Sequence, residues 1–127
     1  MLQAAESGHV AAQTNVGAFC FDGQGTKKNR TQGMLWSKRA VRLGDPVAAV
    51  NIGLEYLETG SRSRARHWFL KAVSMGDGSA KYHLGKLLLQ ARSIARRNQG
   101  IELLKSLLRT KLLSRDERDE IERLVKP

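Results

Sequence analysis

The chain has little cysteine, proline, aromatic residue or acidic charge. Its 127 residues include one cysteine, two prolines and 6% aromatic residues, and 12 Asp and Glu stand against 22 Lys and Arg. Because Cys20 has no second cysteine to pair with, an intrachain disulfide is excluded and nothing indicates an oxidising compartment. A secretory signal is not recognisable, and no run reaches the roughly 18 apolar residues of a membrane-spanning helix. We therefore expect a cytoplasmic protein.

The abundant residues are Ala, Leu, Lys and Arg, and 41% of the chain is hydrophobic. This fraction is sufficient for a folded core, so the net charge of +10 belongs to a folded protein and not to a disordered polycation. Scarce proline and few alternating β-branched residues favour helices joined by glycine-containing turns. The predicted fold class is all-α.

A repeat with shifts of 36 and 32 residues runs along the chain. Each unit starts with the same order of small and apolar residues: Gly8, Ala12, Asn15, Val16 and Gly17; Gly44, Ala48, Asn51, Ile52 and Gly53; Gly76, Ala80, His83, Leu84 and Gly85. Further along each unit, Trp36, Ala40 and Gly44 match Trp68, Ala72 and Gly76. The spacing predicts stacked helix pairs, since residues four apart share one helix face.

Three of the repeated glycines fall within helices, at Gly17, Gly53 and Gly85. Glycine there costs about 1 kcal/mol relative to alanine, so we expect the backbone of the second helix to approach closely at these positions. The two tryptophans are expected to wedge the helix pairs together against these gaps, as part of the core.

Gly44 and Gly76 follow the second helices and are predicted to be left-handed C-terminal caps. Asp45 is the predicted N-cap of the next helix, with Pro46 at its first position. Helices are predicted near 10–21, 31–43, 46–58, 62–75, 78–92, 98–110 and 115–126.

The predicted repeat array covers residues 1–113, with units near 9–44, 45–76 and 77–110. Ala4, Ala5 and Gly8 have the register of the end of a second helix, which predicts a partial unit before the first full one. Residues 114–127 are predicted to form a C-terminal capping helix that starts with a capping box, Ser114 to Glu117.

The repeat resembles the Sel1-like repeat family, a relative of tetratricopeptide repeats. The runs that carry the resemblance are AAQTNVGAFCFDGQGTKKNRTQGMLWSKRAVRLG, AAVNIGLEYLETGSRSRARHWFLKAVSMG and, in a degraded form, SAKYHLGKLLLQARSIARRNQGIELLKSLL. Gln32-Gly33 and Leu103 depart from the family pattern. The resemblance implies a right-handed α/α superhelix of about three helix pairs, a concave groove that holds other proteins, and no enzymatic activity.

The groove positions that the resemblance implies lie on the first helices. They are Phe21, Val50, Leu54, Leu57, Glu58, Tyr82 and Lys86. We expect the apolar members to anchor a segment of a partner protein. A core role for Val50, Leu54 and Leu57 is an equal alternative, because short arrays bury their first helices from several sides. One special case is a bacterial effector-binding or immunity-type protein.

Basic residues are concentrated on the predicted second helices, including Arg39, Arg42, Arg62, Arg66, Arg96 and Arg97. A positive field favours a protein partner with an acidic surface, which it would steer towards the array. Nucleic acid is the alternative partner. It is disfavoured because Trp36 and Trp68 are assigned to the core and so are not free to stack on bases.

No catalytic, metal or cofactor motif is recognised. The loop Phe21 to Lys28 is rich in glycine, yet it does not match the phosphate-binding pattern G-x-x-x-x-G-K-[ST] and it follows a helix. The three histidines lie on different helices without a second ligand at metal spacing, and Cys20 is expected to be a buried thiol. We therefore expect neither a metal nor a cofactor, and no catalytic residue.

Overall fold

The structure, a computed structural model, describes residues 2–23, 27–110 and 113–126. Seven helices make up this part of the chain: α1 Leu2–Gly23, α2 Lys27–Arg42, α3 Pro46–Glu58, α4 Arg62–Ser74, α5 Gly78–Leu89, α6 Ile94–Leu108 and α7 Arg115–Leu124. These residues contain no strand, so the all-α prediction is confirmed for them. They form two compact units, Met1–Gly76 with α1 to α4 and Asp77–Pro127 with α5 to α7.

Helix α3 starts and ends where the sequence predicted. Asp45 is its N-cap, and the Oδ1 atom of this residue accepts a hydrogen bond from the Val47 amide at 2.9 Å. Pro46 follows at the first helical position, where its missing N–H costs nothing. Gly44 (φ 99°) and Gly76 (φ 96°) follow α2 and α4 in the left-handed region, which a residue with a Cβ enters only at a cost.

Three helices, α1, α2 and α6, start earlier than predicted, and α2 starts at Lys27 and not near residue 31. Helix α1 runs from Leu2 to Gly23 through Gly8, where the sequence predicted the end of an earlier helix. A single internal glycine costs only about 1 kcal/mol, which the continuous helix tolerates. Helix α6 starts at Ile94 and not near residue 98, because the Ser93 hydroxyl caps it by accepting a hydrogen bond from the Arg96 amide at 3.4 Å.

The space beside Gly17 and Gly53 is filled not by the tryptophan of the facing helix but by the residue that follows the tryptophan. A Cβ atom on Gly53 would lie 2.7 Å from Cδ1 of Phe69, and one on Gly17 would collide with the hydroxyl of Ser37. Phe69 and Ser37 are both fully buried. The prediction that tryptophans wedge the helices together is therefore wrong. Neighbouring residues on a helix point about 100° apart, and it is the residue after each tryptophan that faces the partner helix.

Trp36 and Trp68 are half-buried, beside the basic side chains of their own helices. The guanidinium of Arg39 lies 5.2 Å from the ring centre of Trp36, and the Lys71 ammonium lies 5.7 Å from that of Trp68. Their partners in the repeat, Ala40 and Ala72, are fully buried. Each tryptophan is thus a partly exposed residue with a cation against its face.

Close approach of backbones at glycine occurs in both units. In the first unit a Cβ atom on Gly33 would lie 3.2 Å from the carbonyl oxygen of Gly17. In the second unit one on Gly100 would lie 2.8 Å from the carbonyl oxygen of Gly85. Gly33, a departure from the family pattern, therefore has a structural role. It lets α1 and α2 approach backbone to backbone, and it leaves room for the ring of Phe21, whose Cδ1 atom would lie 2.6 Å from a Cβ atom at this position.

The apolar stripe predicted for the first helix of each unit is not buried equally. Ala48 and Ile52 of α3 are fully buried, because α3 packs against both α2 and α4. Ala12 at the matching position of α1 is exposed, and Val16 is 42% exposed. Cys20 is half-buried, so the prediction of a buried thiol is wrong.

The second unit has its own small core. Leu104, Leu107 and Ile121 are buried together, with Tyr82 and other partly buried side chains packed around them. Arg118 of α7 donates hydrogen bonds of 2.8 Å to the carbonyl oxygens of Leu108 and Thr110. Leu108 is the last residue of α6, and the last carbonyls of a helix require hydrogen-bond donors from outside it, so Arg118 caps this end of α6 while α7 buries Ile121. No helix in the described ranges is long and apolar enough to cross a membrane.

Candidate protein-binding site

A pocket of about 480 Å³ lies on the first unit, where α1 meets α3. Eight residues of these two helices line it: Ala18, Phe21, Asp22, Asn51, Leu54, Glu55, Leu57 and Glu58. Leu54 is 38% exposed, and Phe21 and Leu57 are half-buried. The pocket therefore presents apolar side chains to the outside, which a folded chain does at a cost unless something covers them.

The spacing of these residues brings them to one wall. Phe21 follows Ala18 by three residues on α1, and Leu54 and Leu57 have the same separation on α3. Residues three and four apart lie on one face of a helix, and α1 and α3 place these faces side by side. Four of the predicted groove residues, Phe21, Leu54, Leu57 and Glu58, are thus brought together.

Val50 lies outside this pocket. It is 6% exposed and belongs to the core of the first unit. Its predicted role as an exposed groove residue is therefore wrong, and the alternative, that it is core, describes it. Val50 precedes Leu54 by one helical turn, but its side chain is buried in the core and Leu54 is exposed.

Three carboxylates surround the apolar lining: Asp22, Glu55 and Glu58. Glu55 is held by Arg30 of α2, whose Nε atom lies 3.0 Å from Oε1, and the Glu55 side chain is only 11% exposed. Arg30 also donates to the hydroxyl of Thr59 at 3.3 Å and lies 6.0 Å from the ring centre of Tyr56. Glu55 is therefore neutralised within the fold, whereas Asp22 and Glu58 are exposed.

Sequence reasoning missed Asp22, Asn51 and Glu55 as pocket residues. Asp22 was assigned to the glycine-rich loop, but α1 continues through Gly23, which places Asp22 on the helix one residue after Phe21. Of the predicted loop, residues 24–26 lie outside the described part of the chain. The available signal was the spacing of Glu55 and Glu58, one helical turn apart on the same helix as Leu54 and Leu57.

The predicted groove residues of the second unit, Tyr82 and Lys86, are engaged within that unit. The Tyr82 hydroxyl donates to a carboxylate oxygen of Glu120, and the Lys86 ammonium lies 2.9 Å from the other oxygen. Lys86 also lies 4.8 Å from the ring centre of Tyr82. Helix α7 thus meets α5 through these two residues, which are not a free binding surface.

The pKa values of this cluster follow from its contacts. The hydrogen bond from Tyr82, and then that from Lys86, hold the pKa of Glu120 below its usual value. The hydrogen bond to Glu120 raises the pKa of Lys86 against the opposing effect of burial. Burial, followed by the hydrogen bond to Glu120, raises the pKa of Tyr82. At neutral pH Glu120 and Lys86 are therefore charged and Tyr82 is protonated, and these are the states in which the three side chains hold α7 on α5.

The predicted basic residues are distributed over three second helices. Arg39 and Arg42 lie on α2, Arg62 and Arg66 on α4, and Arg96 and Arg97 on α6. Arg66 is half-buried and the other five are exposed. Among the described side chains, no cluster of three or more His, Cys, Asp or Glu could hold a metal ion.

Comparison with protein families identifies the repeat. The family model described as the Sel1 repeat matches residues 10–45 and 46–77, more than half of the chain. Each match corresponds to one helix pair, α1 with α2 and α3 with α4. No curated protein sequence matches the chain significantly.

Proposed function

Because this chain belongs to the Sel1 repeat family, we propose that it is a noncatalytic scaffold that binds a segment of a partner protein in the pocket between α1 and α3. Sel1 repeats generally mediate protein–protein interaction, and Sel1 repeat proteins are typically noncatalytic scaffolds. The observation that carries the proposal is the partly exposed apolar lining by Phe21, Leu54 and Leu57. With one cysteine and no disulfide, the cytoplasm is the compartment we propose.

The pocket has the character of an interaction site because it combines partly exposed leucines with polar groups at its edge. Apolar anchors in a concave surface supply most of the affinity in peptide recognition, and a polar rim fixes orientation. Tyr82 and Lys86 are left out of the proposed site, since Glu120 already binds both.

Affinity capture with a pair of matched variants tests this function. The immobilised protein is compared with Leu54→Glu, which places a charge in the pocket, and with Leu70→Glu, which places one on α4. Leu70 is 51% exposed and does not line the pocket, so it controls for a general effect of the substitution. Circular dichroism first establishes that both variants are folded.

We expect the wild-type protein and Leu70→Glu to retain the same proteins from a lysate of the source organism, and Leu54→Glu to lose them. Retention of the same set by Leu54→Glu would show that the pocket is not the binding site. Loss by both variants would mean that surface charge, and not the pocket, governs capture.

A second candidate function, association with nucleic acid, gains support from the tryptophans. The sequence disfavoured it on the ground that Trp36 and Trp68 are in the core, but both are half-buried beside a cation. Helices α2 and α4 contain six and four basic residues and no acidic one. Partly exposed aromatic rings among basic residues are the features that bind single strands.

Fluorescence anisotropy with labelled 20-nucleotide single strands of DNA and RNA separates the two functions. Nonspecific attraction to a basic protein gives a Kd of about 10⁻⁴ to 10⁻⁶ M at physiological salt. A nucleic-acid-binding protein would bind tighter than this range, and Trp36→Ala and Trp68→Ala would each weaken its binding. We expect the weak, salt-sensitive binding and no effect of these substitutions.

A further inference from the structure

The charges of the first unit are sorted by helix. All Lys and Arg residues of Met1–Gly76 lie on α2 and α4, the second helices of the two repeats. Helices α1 and α3 contain no Lys or Arg and carry two acidic residues each. The wall that carries the pocket is therefore negative, although the chain as a whole has a net charge of +10.

Within this wall, two carboxylates are available to a ligand. Asp22 and Glu58 line the pocket and are exposed, and within the described part of the chain no basic side chain forms a salt bridge with either. Glu55 differs, because Arg30 pairs with it at 3.0 Å. Among the described side chains, Arg30 thus pairs with one of the three carboxylates, and the other two are exposed.

The apolar part of the pocket is large enough for a side chain of the partner. Its volume of about 480 Å³ exceeds that of any single amino-acid side chain, and Phe21, Leu54 and Leu57 contribute apolar surface. A ligand that fits both parts has a large apolar side chain with a positive charge close by in its sequence. An acidic segment would meet Asp22 and Glu58 as like charges, which disfavours it.

We propose that the partner segment bound in this pocket is basic and apolar: a leucine-like or phenylalanine-like side chain fills the space between Phe21, Leu54 and Leu57, and flanking lysine or arginine side chains pair with Asp22 and Glu58. This inference rests on the proposed function and specifies its ligand. It differs from the sequence-based expectation of a partner with an acidic surface, which rested on the basic residues of the second helices and not on the charges of the groove.

Synthetic peptides of nine residues test the preference. The first has a central leucine with a lysine two positions away on each side, in an alanine and serine background. In the second, glutamate replaces both lysines, and in the third, alanine replaces the leucine. Each is titrated into the ¹⁵N-labelled full chain, and the amide shifts of Asn51, Leu54 and Glu58 report occupancy of the pocket.

We expect the lysine–leucine peptide to bind on the order of fivefold to tenfold more tightly than the glutamate peptide at low salt, which is the effect of one or two exposed charge pairs. It should also bind more tightly than the alanine peptide, which lacks the apolar side chain that the pocket buries. The double variant Asp22→Lys, Glu58→Lys should invert the preference and favour the glutamate peptide. Its control, Glu102→Lys with Glu122→Lys, makes the same change in net charge at exposed positions of α6 and α7 and should keep the original preference.

Equal binding of the lysine and glutamate peptides would overturn the inference, as would tighter binding of the glutamate peptide or the absence of shifts at the pocket. The same peptide preference in both double variants would also overturn it. Concentration-dependent dimerisation that Leu54→Glu abolishes, measured by sedimentation, would assign the pocket to a second copy of the chain and not to a peptide partner.

Failure of this inference can be distinguished from failure of the proposed function. If Leu54→Glu loses the captured proteins while the peptides show no charge preference, the pocket is a protein-binding site of different specificity. If Leu54→Glu retains them, the proposed function fails whatever the peptides do.

Discussion

The ring of Phe69 on α4 lies directly against the α-carbon of Gly53 on α3. A Cβ atom at Gly53 would come within 2.7 Å of ring atom Cδ1 and 3.0 Å of Cζ, closer than real Cβ atoms pack. Phe69 is fully buried and fills the space that the missing side chain leaves. The missing side chain of Gly53 on α3 thus makes room for Phe69 on α4, the largest of the fully buried side chains.

We expect Gly53→Ala to lower the free energy of unfolding of the first unit. The collision with Phe69 costs about 1–3 kcal/mol, and the better helix propensity of alanine returns about 1 kcal/mol. The net loss is about 1 kcal/mol, measured by urea unfolding with tryptophan fluorescence, since both tryptophans lie in this unit. In a Phe69→Leu background the same substitution should cost less; an equal cost in both backgrounds would contradict the contact.

Phe69 and Trp68 are expected to differ in their contributions to stability. Phe69→Ala removes a fully buried ring and should cost about 3–5 kcal/mol. Trp68→Ala removes a half-exposed ring and its cation–π contact with Lys71, and should cost about half as much or less. The fluorescence of Trp36 reports the unfolding of both variants. A larger loss for Trp68→Ala would restore the tryptophan to the core position that the sequence suggested.

These two residues show what the sequence determines and what it leaves open. The glycine and alanine periodicity predicts the helix pairs, and the Asp45-Pro46 pair predicts the start of α3, because both depend on local chemistry. Which of two adjacent bulky residues faces the glycine gap depends on the rotation of the second helix, which no local rule determines. Size favoured Trp68, but the structure buries Phe69.

The candidate site shows the same division. Helical spacing predicted Phe21, Leu54, Leu57 and Glu58 together, because a groove lined by first helices repeats with the register. The sequence could not predict that Glu120, on a helix outside the repeat pattern, binds Tyr82 and Lys86. Nor could it predict which carboxylate of the pocket is neutralised, since the pairing of Arg30 with Glu55 depends on how α2 packs on α3.

Asp45 and Asp77 begin α3 and α5 in the same way but have different additional partners. Each accepts a hydrogen bond from the backbone amide two residues ahead, at 2.9 and 2.8 Å. Asp45 also accepts a hydrogen bond of 2.5 Å from the hydroxyl of Thr14, which is only 4% exposed. The corresponding extra contact of Asp77, with the Ser79 hydroxyl, is exposed.

We therefore expect Asp45→Ala to cost more stability than Asp77→Ala. Both lose an N-cap, about 1 kcal/mol, but Asp45→Ala also leaves the buried Thr14 hydroxyl without its acceptor, for about 1–3 kcal/mol more. Urea unfolding followed by circular dichroism measures the difference. In a Thr14→Val background the cost of Asp45→Ala should fall to that of the cap alone. Equal losses for the two single variants would show that the Thr14 contact contributes nothing.

The contact of α7 with α5 should weaken at acid pH because of Glu120. Its pKa is lowered by the Tyr82 hydrogen bond and by Lys86, so its contribution is complete above the ordinary glutamate range, about pH 4.3, and is lost as pH falls through the lowered value. The raised pKa of Lys86 acts at the other end: that contribution is complete below about pH 10.4 and is lost as pH rises through the raised value. Between these limits the contact is insensitive to both groups.

His83 also lowers the stability of the second unit on acidification, and it does so at a higher pH than Glu120. Burial, followed by the charge of Lys86, lowers its pKa, while Asp77 and Glu117 act in the opposite direction. The unfolded chain therefore takes up a proton near pH 6.5 before the folded chain does, and stability starts to fall below that pH. Two separate declines are expected on acidification, the first from His83 and the second from Glu120.

Glu120→Gln separates the two declines, since the amide can still accept from Tyr82 but does not titrate. Native-state hydrogen exchange of the Ile121 amide, corrected for the intrinsic rate at each pH, measures the opening of α7. The variant should be less protected at neutral pH, keep the decline that starts near pH 6.5 and lack the one below about pH 4.3. Glu102→Gln, at an exposed position of α6, should behave as the wild type does. If Glu120→Gln retains the lower decline in full, the contact of Glu120 with Tyr82 and Lys86 does not hold α7 in place.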